Sequence, residues 1–324
     1  MTCTSRTTIA FLIFCFILSS LNAQKISKGD LRELKKKEDT LKLYSDKMIN
    51  AYEATDRFRA DSNFVRSFVR SLKVKNSFYY SFDSLRTVSH MYAPDSSFRI
   101  FTWQLKKDEY VYLQKGAIQM NTPEGELKLY PLFDFSMYTG KPVDSVRTKD
   151  NWIGAIYYRM IMKEYKGKKF YTLLGFDDYT VSSNKKWMEV LTFNDRNQPV
   201  FGGPFISFKE DTARKPVQSR FSMEYKKEAN TLLNYDADLD MIIYDHLISE
   251  TEEPEKKNTY IPDGSYEGFR WKDGQWVHVD RVFDFKLQDG QFPTDDKLRD
   301  DQGNIDEKKL EEASQKNIEK ANKK

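Results

Sequence analysis

The chain runs to 324 residues, with 52 Lys+Arg against 49 Asp+Glu and a formal net charge of +3. The two signs are interspersed, so there is no basic field of the kind that grips a phosphate backbone, and nucleic acid is excluded as a partner. Cys3 and Cys15 are its two cysteines.

Residues 1–23 read as a unit of their own. Arg6 is the one charge among them, 9–18 is an unbroken apolar run (IAFLIFCFIL), and small or polar residues lead to Ala23. A positive start, a short apolar core and a small residue at the cut have the form of a secretory signal. A spanning helix needs about 20 apolar residues, roughly twice this run. Cleavage is predicted after Ala23, giving Gln24 as the mature N-terminus, no transmembrane anchor, and a periplasmic or extracellular protein. Cys15 sits inside the apolar run behind bulky Phe14, where a lipoprotein signal wants a small residue, so no lipid anchor is expected. The mature chain keeps no cysteine, hence no disulfide and no thiolate nucleophile or metal ligand. Losing Arg6 leaves 51 basic residues against 49 acidic ones, a net charge of +2.

Residues 24–75 form a predicted helical segment. From 30 to 58 the apolar residues Leu31, Leu34, Leu41, Tyr44, Met48, Ala51, Tyr52 and Phe58 recur at helical spacing. A second helix is predicted over 63–72, where Phe64 and Phe68, and Val65 and Val69, stand four apart, with Asp61 or Ser62 as its cap. The stripe is expected to pack on the main body.

After Asn76 the period becomes strand-like, and residues 76–290 read as one antiparallel β domain. Strands are predicted at 77–82, 87–92, 98–105, 110–120, 127–133, 153–165, 169–176, 187–193, 205–208, 220–225, 241–247, 266–271 and 276–285. Turn residues separate them, among them Pro94-Asp95-Ser96, Pro123-Glu124-Gly125 and Asp273-Gly274. The 23 Phe, 19 Tyr and 5 Trp supply a large core and favour strands. Short strands with close turns and no helices between them predict a mainly β body, propeller-like first, with a sandwich or open barrel as alternatives. Residues 249–259 read as an exposed charged loop, and 291–324 as a polar, disordered tail.

Four stretches carry a resemblance: YTLLGFDDYTVSSNKKWMEVLTFNDRNQPVFGGPFISF from Tyr171, RFSMEYKKEA from Arg220, YDADLDMIIYDHL from Tyr235 and IPDGSYEGFRWKDGQWVHV from Ile261. Together they resemble an uncharacterised family of exported Gram-negative bacterial proteins, over most of the mature chain from Asp56 to Val279. The resemblance implies export into the envelope and brings no activity, cofactor or catalytic residue with it.

The common catalytic signatures are missing: no G-x-S-x-G elbow, no H-E-x-x-H, no Gly-rich phosphate loop and no dinucleotide fingerprint, so no cofactor is expected. Ser182-Ser183-Asn184-Lys185 matches S-x-x-K, but that motif must open a helix and here falls in a predicted loop. His90, His246 and His278 are the three histidines. In a strand, Asp245 and His246 point to opposite faces and cannot pair with each other. Asp236, Asp238 and Asp240 are spaced like a calcium loop, yet Met241 and Leu247 stand where its Gly and Glu belong, and a β-turn with solvated acids is the favoured reading. An oxygen-only site shared by Asp177-Asp178 and the turn 194–197 stays open as an alternative; no metal site is otherwise expected.

The most informative feature is an aromatic hairpin. A two-residue turn at Asp273-Gly274 sets Trp271 across from Trp276 and Phe269 across from His278, all on one face. Such a face can stack on a sugar or anchor the hairpin in the core. The four residues Trp271, Trp276, Phe269 and His278 are therefore the candidate ligand-binding set. The expected function is that of an exported, non-enzymatic binding or structural module with a glycan or envelope-protein partner. The alternative is a hydrolase of the glycoside type, using carboxylates gathered from loops, such as Asp177, Asp178 and Asp245.

Overall fold

The computed structural model describes residues 26–212 and 215–283. All the elements below lie within the compact unit Met1–Val282. The predicted signal and the polar tail fall outside the described residues.

Helix α1 (Lys28–Asn50) begins where the Ser27 hydroxyl accepts from the Asp30 backbone N–H at 3.0 Å, satisfying one of the orphan amides of a helix start. Its buried residues Leu34, Leu41, Ser45 and Met48 follow the helical period. The helix predicted through Phe58 instead stops at Asn50, and α2 (Ala54–Leu72) begins after a short break. Arg57 accounts for the break. Its buried guanidinium donates to the carbonyls of Ala51 at 2.8 Å and Tyr52 at 2.6 Å, and to that of Lys106 at 2.7 Å. One cation thus takes the carbonyls that end α1 and ties the corner to the first sheet.

That sheet is an antiparallel meander of β1 (Val88–Tyr92), β2 (Phe98–Lys106), β3 (Tyr112–Met120) and β4 (Lys128–Phe133). Phe101, Trp103 and Leu105 on β2 face the helices, where Phe68 meets Phe101 edge-on at 4.8 Å. Phe98 and Ile100, of the opposite parity, face the second sheet.

The predicted strand 77–82 is not formed. Ser77–Tyr79 is a 3₁₀ turn, and the reason lies on β2. Arg99 is fully buried and donates to the Ser77 carbonyl at 2.8 Å, the Tyr80 carbonyl at 2.5 Å and the Gln119 side chain at 2.9 Å. Carbonyls claimed by a guanidinium are not available to a β-ladder.

The second sheet comprises β5 (Arg147–Thr148), β6 (Ile156–Tyr165), β7 (Lys168–Asp177), β8 (Ser183–Phe193), β9 (Pro199–Phe201) and, after the two-residue β10 (Ile206–Ser207), strand β11 (Arg220–Lys226). Its order is β5-β9-β8-β7-β6, with β11 pairing the first half of the β8 edge whose second half β9 takes. The third sheet holds β12 (Leu233–Asp236), β13 (Met241–Ser249), β14 (Tyr260–Lys272) and β15 (Gln275–Val279) in the order β10-β15-β14-β13-β12. Strands β5, β9 and β12 are too short to leave a period in the sequence, and β15 stops at Val279 rather than running to 285.

The layers follow chain order. Helices cover the first sheet, the first sheet packs on the second, and the second on the third. The middle sheet is buried on both faces: Tyr171 and Leu173 of β7 point to the first sheet, Phe170 and Leu174 to the third. The chain is mainly β and antiparallel, as its sequence predicts, and the arrangement is an open stack. The propeller expectation is corrected accordingly. Of the three sheets only the first is a four-stranded meander; the second recruits β11 and the third takes β10 in parallel.

Candidate functional site

The hairpin register is as the turn chemistry requires. Asp273 and Gly274 have φ of 53° and 80°, the two positive values of a type I′ turn, and Trp271 pairs Trp276 while Phe269 pairs His278. The predicted ligand face, however, is turned inward. Trp276 and Phe269 are fully buried between the second and third sheets, and Trp271, half-buried, packs on Phe170 at 5.5 Å. No face of Trp276 or Phe269 is free to meet a sugar, because the third sheet covers the second with this very face.

His278 has a different surrounding. Its Nδ1 lies 2.8 Å from Asp211 Oδ1, and its Nε2 lies 3.1 Å from Glu267 Oε2 and 2.9 Å from the Tyr244 hydroxyl. Burial by itself lowers an imidazole's pKa; here the hydrogen bonds to Glu267 and Asp211 outweigh it and hold His278 above its ordinary value. Burial likewise pushes Glu267 up, and its bonds from His278 and Tyr244 bring it below the usual carboxylate range. His246 approaches the same acid at 3.8 Å while its Nδ1 meets Asp263 at 2.7 Å. This chain of acids and imidazoles borders a cavity of about 400 Å³ that Phe221, Glu224 and Tyr260 also line. Each member is satisfied by its neighbours, which describes a cross-link between β13, β14, β15 and the loop after β10.

The other predicted acids do not converge. Asp177 is buried and accepts from Gln114 Nε2 at 3.1 Å; Asp178 pairs with Lys227; Asp245 accepts from the Leu232 backbone N–H at 2.6 Å. Asp177 pairs with Lys185 near the start of β8 and the turn 194–197 follows its other end, which separates the two halves of the alternative calcium site. Asp236 accepts from the Asp238 and Leu239 N–H groups, each at 2.9 Å, and Asp240 pairs with Lys163 and Tyr235. Among the described residues no three His, Cys, Asp or Glu side chains are placed to share a metal ion. Ser182 immediately precedes β8 and Lys185 lies within it, so the S-x-x-K residues lead into a strand and not a helix.

One place differs in kind. Between α2 and strands β3 and β4 runs a groove of about 380 Å³, walled by Val65, Phe68, Val69, Leu113, Leu129 and Pro131. Helix α2 covers β2, but it leaves the helix-facing side of β4 open. From the last residue of β4 onward the segment 133–138 (FDFSMY) exposes Phe133 at 55 %, Met137 at 71 % and Tyr138 at 76 %. Asp134 closes one end. Its Oδ1 accepts from the Ser136 N–H at 2.8 Å, and Gly154, at φ 75°, packs so closely that a Cβ there would come within 2.6 Å of the carboxyl. Burial pushes the Asp134 pKa up against the N–H bonds from Ser136 and Gln114.

One polar atom on this groove lacks a partner. Trp103, on the helix-facing side of β2, has its Nε1 cut off from solvent with no hydrogen bond among the described residues. Gln114 Oε1 is also unpaired, but Gln114 pairs across the strands with Gln104, of the opposite parity to Trp103, and its side chain reaches Asp177 on the face toward the second sheet.

No protein-family model, curated protein or solved structure matches this chain. The geometry therefore carries the functional reading alone. Among the described residues, no helix is long and apolar enough to cross a membrane.

Sequence reasoning missed Trp103 and the groove beside it, because its walls are gathered from α2, β2, β3 and β4. The run FDFSMY was the available signal: four large apolar residues in six, of which only Phe133 falls within a predicted strand. It also missed Glu267, although the hairpin register extended by one pair places Glu267 on the face of Phe269, diagonal to His278. Asp211 lies in a loop 67 residues from His278 and left no local trace.

Proposed function

We propose that the mature protein is an exported binding module, and that the groove between α2 and β4 is the seat of a small, mainly apolar ligand. Export rests on the three-part form of residues 1–23, in keeping with the exported envelope family that the chain resembles. The observation that carries the binding reading is the open apolar groove itself, walled by Val65, Phe68, Val69, Leu129 and Pro131, flanked by exposed Phe133, Met137 and Tyr138, and lined by Trp103, whose Nε1 is buried without a partner among the described residues. The groove's volume falls in the range of small-molecule sites, and such sites combine apolar walls with a few placed polar groups.

The hydrolase alternative gains no support from the placement of Asp177, Asp178 and Asp245, each engaged by a separate partner. Nile red, a neutral apolar dye, tests the binding reading. Its emission should rise on addition of the mature protein, and Pro131→Trp, which fills the groove from an exposed position, should abolish the rise without lowering the melting temperature. No emission change, or an equal one in the variant, overturns the groove as ligand seat. N-terminal sequencing of the native protein tests export: Gln24 is the expected first residue, and an intact Met1 chain in the cytosol overturns it.

A further inference from the structure

At the mouth of the groove we propose a membrane-docking face, on which the apolar tips of the segment 133–138 and the exposed ridge of α2 seat the mature protein on an anionic lipid surface. The inference goes beyond the groove reading and does not need it, because docking uses the exposed tips and not the groove floor.

Apolar residues stand out on both banks. Phe133, Met137 and Tyr138 line the groove and are all exposed, and Phe135, exposed as well, rests against Tyr138 with ring centroids 4.9 Å apart. On the opposite bank Phe58, Val65 and Val69 stand seven and four residues apart, which sets them along one side of α2. Phe58 is exposed, and the two valines are half-buried groove wall. Single exposed apolar side chains are ordinary; a contiguous set on two banks marks an interaction surface.

Two observations favour lipid as the occupant. The first is the backbone of the loop. The N–H groups of Phe135, Ser136, Tyr138 and Thr139 donate within the fold, to the Trp152 carbonyl at 2.7 Å, Asp134 Oδ1 at 2.8 Å, and the Phe135 and Ser136 carbonyls at 3.1 Å each. A loop so satisfied enters the edge of a bilayer without stranding those amides, the condition that bars most loops from lipid. Asp134, the one acid of the run, turns its carboxyl inward to the Ser136 and Gln114 N–H groups. The second observation is charge. Between Asp61 and Asp83 the chain carries Arg66, Arg70, Lys73 and Lys75 and no acid. Arg66 beside Val65, and Lys141 three residues past Tyr138, are exposed, and neither makes an ion pair among the described residues. Cations flanking apolar tips match the headgroups of an anionic leaflet, and the Tyr138 ring has the apolar body and polar end that suit its boundary.

Cosedimentation with vesicles of phosphatidylcholine, alone or mixed with phosphatidylglycerol, tests the face. The mature protein should bind the mixed vesicles at least about tenfold more tightly than the neutral ones, and less tightly as salt is added. The double variant Met137→Asp, Tyr138→Asp alters two exposed side chains, so its melting temperature should hold while vesicle affinity falls by at least about tenfold. Arg66→Glu with Lys141→Glu should lose most of the preference for the mixed vesicles. Pro131→Trp, which blocks Nile red, should leave vesicle binding in place. No sedimentation with the mixed vesicles, or equal sedimentation of the Met137→Asp, Tyr138→Asp variant, overturns the docking face whatever Nile red shows. A dimer in sedimentation velocity that this variant dissociates, without vesicle binding, assigns the face to a second copy and overturns it too. Vesicle binding with silent Nile red overturns the groove reading and leaves the docking face standing.

Discussion

Trp276 donates its indole N–H to the Thr172 hydroxyl at 2.7 Å, joining β15 of the third sheet to β7 of the middle sheet, with both residues fully buried. The aromatic hairpin is therefore a structural bolt. Trp276→Ala should cost about 3–5 kcal/mol in denaturant unfolding. Thr172→Val, which keeps shape and strips the acceptor, should cost about 1–3 kcal/mol. Half-buried Trp271 should cost less than half as much as Trp276 on truncation to Ala. Near-zero loss at Trp276 would mean that the hairpin face is not core.

A second bolt lies inside the middle sheet. Arg220 Nε donates to Glu189 Oε2 at 3.0 Å with both side chains sealed from water, and the Tyr157 hydroxyl donates to the other oxygen of Glu189. Glu189→Ala leaves a buried guanidinium without its carboxylate and should cost about 3–5 kcal/mol. The paired change Glu189→Leu with Arg220→Met should cost less than that single change, because it removes the stranded charge. Equal or greater cost in the double variant would show that the ion pair is worth more than its apolar replacement.

Asp177 makes a pH prediction. Burial pushes it up to about 6, the Asp134 charge adds to this, and the Gln114 and Lys185 contacts only partly offset it. Its folded pKa lies above the unfolded value of about 3.9, so the folded state binds the extra proton between those limits. The contribution to stability is full below about 4 and is lost as pH rises through about 6. Asp177→Asn retains an acceptor for Gln114 and cannot ionise. It should raise stability at neutral pH by on the order of 1–3 kcal/mol and flatten the stability profile between those pH values. A neutral-pH loss of stability would contradict the burial argument.

His278 acts with the same sign at higher pH. Its raised pKa means that its contribution is fully present below the unfolded value of about 6.5 and is lost as pH rises through the folded value. The groups that face it are Asp211, Glu267 and Tyr244, with Phe208 beside the ring and Lys215 over Phe208 at 4.9 Å. The melting temperature of the native protein should therefore fall as pH rises through the folded pKa of His278, and His278→Gln should remove that fall. An identical profile in the variant would assign that fall to another group.

How much of this was readable from residues alone depended on range. The β14–β15 register followed from two adjacent turn residues, and the existence of β2 and β7 from their apolar runs. What failed was decided by distant partners. Arg57 cut a helix in two by taking the Ala51 and Tyr52 carbonyls, and Arg99 withdrew Ser77 and Tyr80 from strand pairing. Nothing in a periodicity reports where a guanidinium will find its carbonyls. The inward turn of Trp276 was equally hidden, since a one-faced aromatic hairpin looks the same in sequence whether a sheet or a ligand covers it.

The strict succession of layers bears on assembly during synthesis or secretion. A chain delivered N-terminus first can complete its helices and first meander, then lay the middle sheet against a finished surface, then the third against that. One element breaks the sequence. Strand β11 returns to the open edge of β8 only after β9 and β10 have emerged, so the first half of that edge stays unpaired while about thirty residues follow it. Through that interval the partly made protein carries its greatest exposure to self-association, and a chaperone that shields a single strand edge would be the help it most needs.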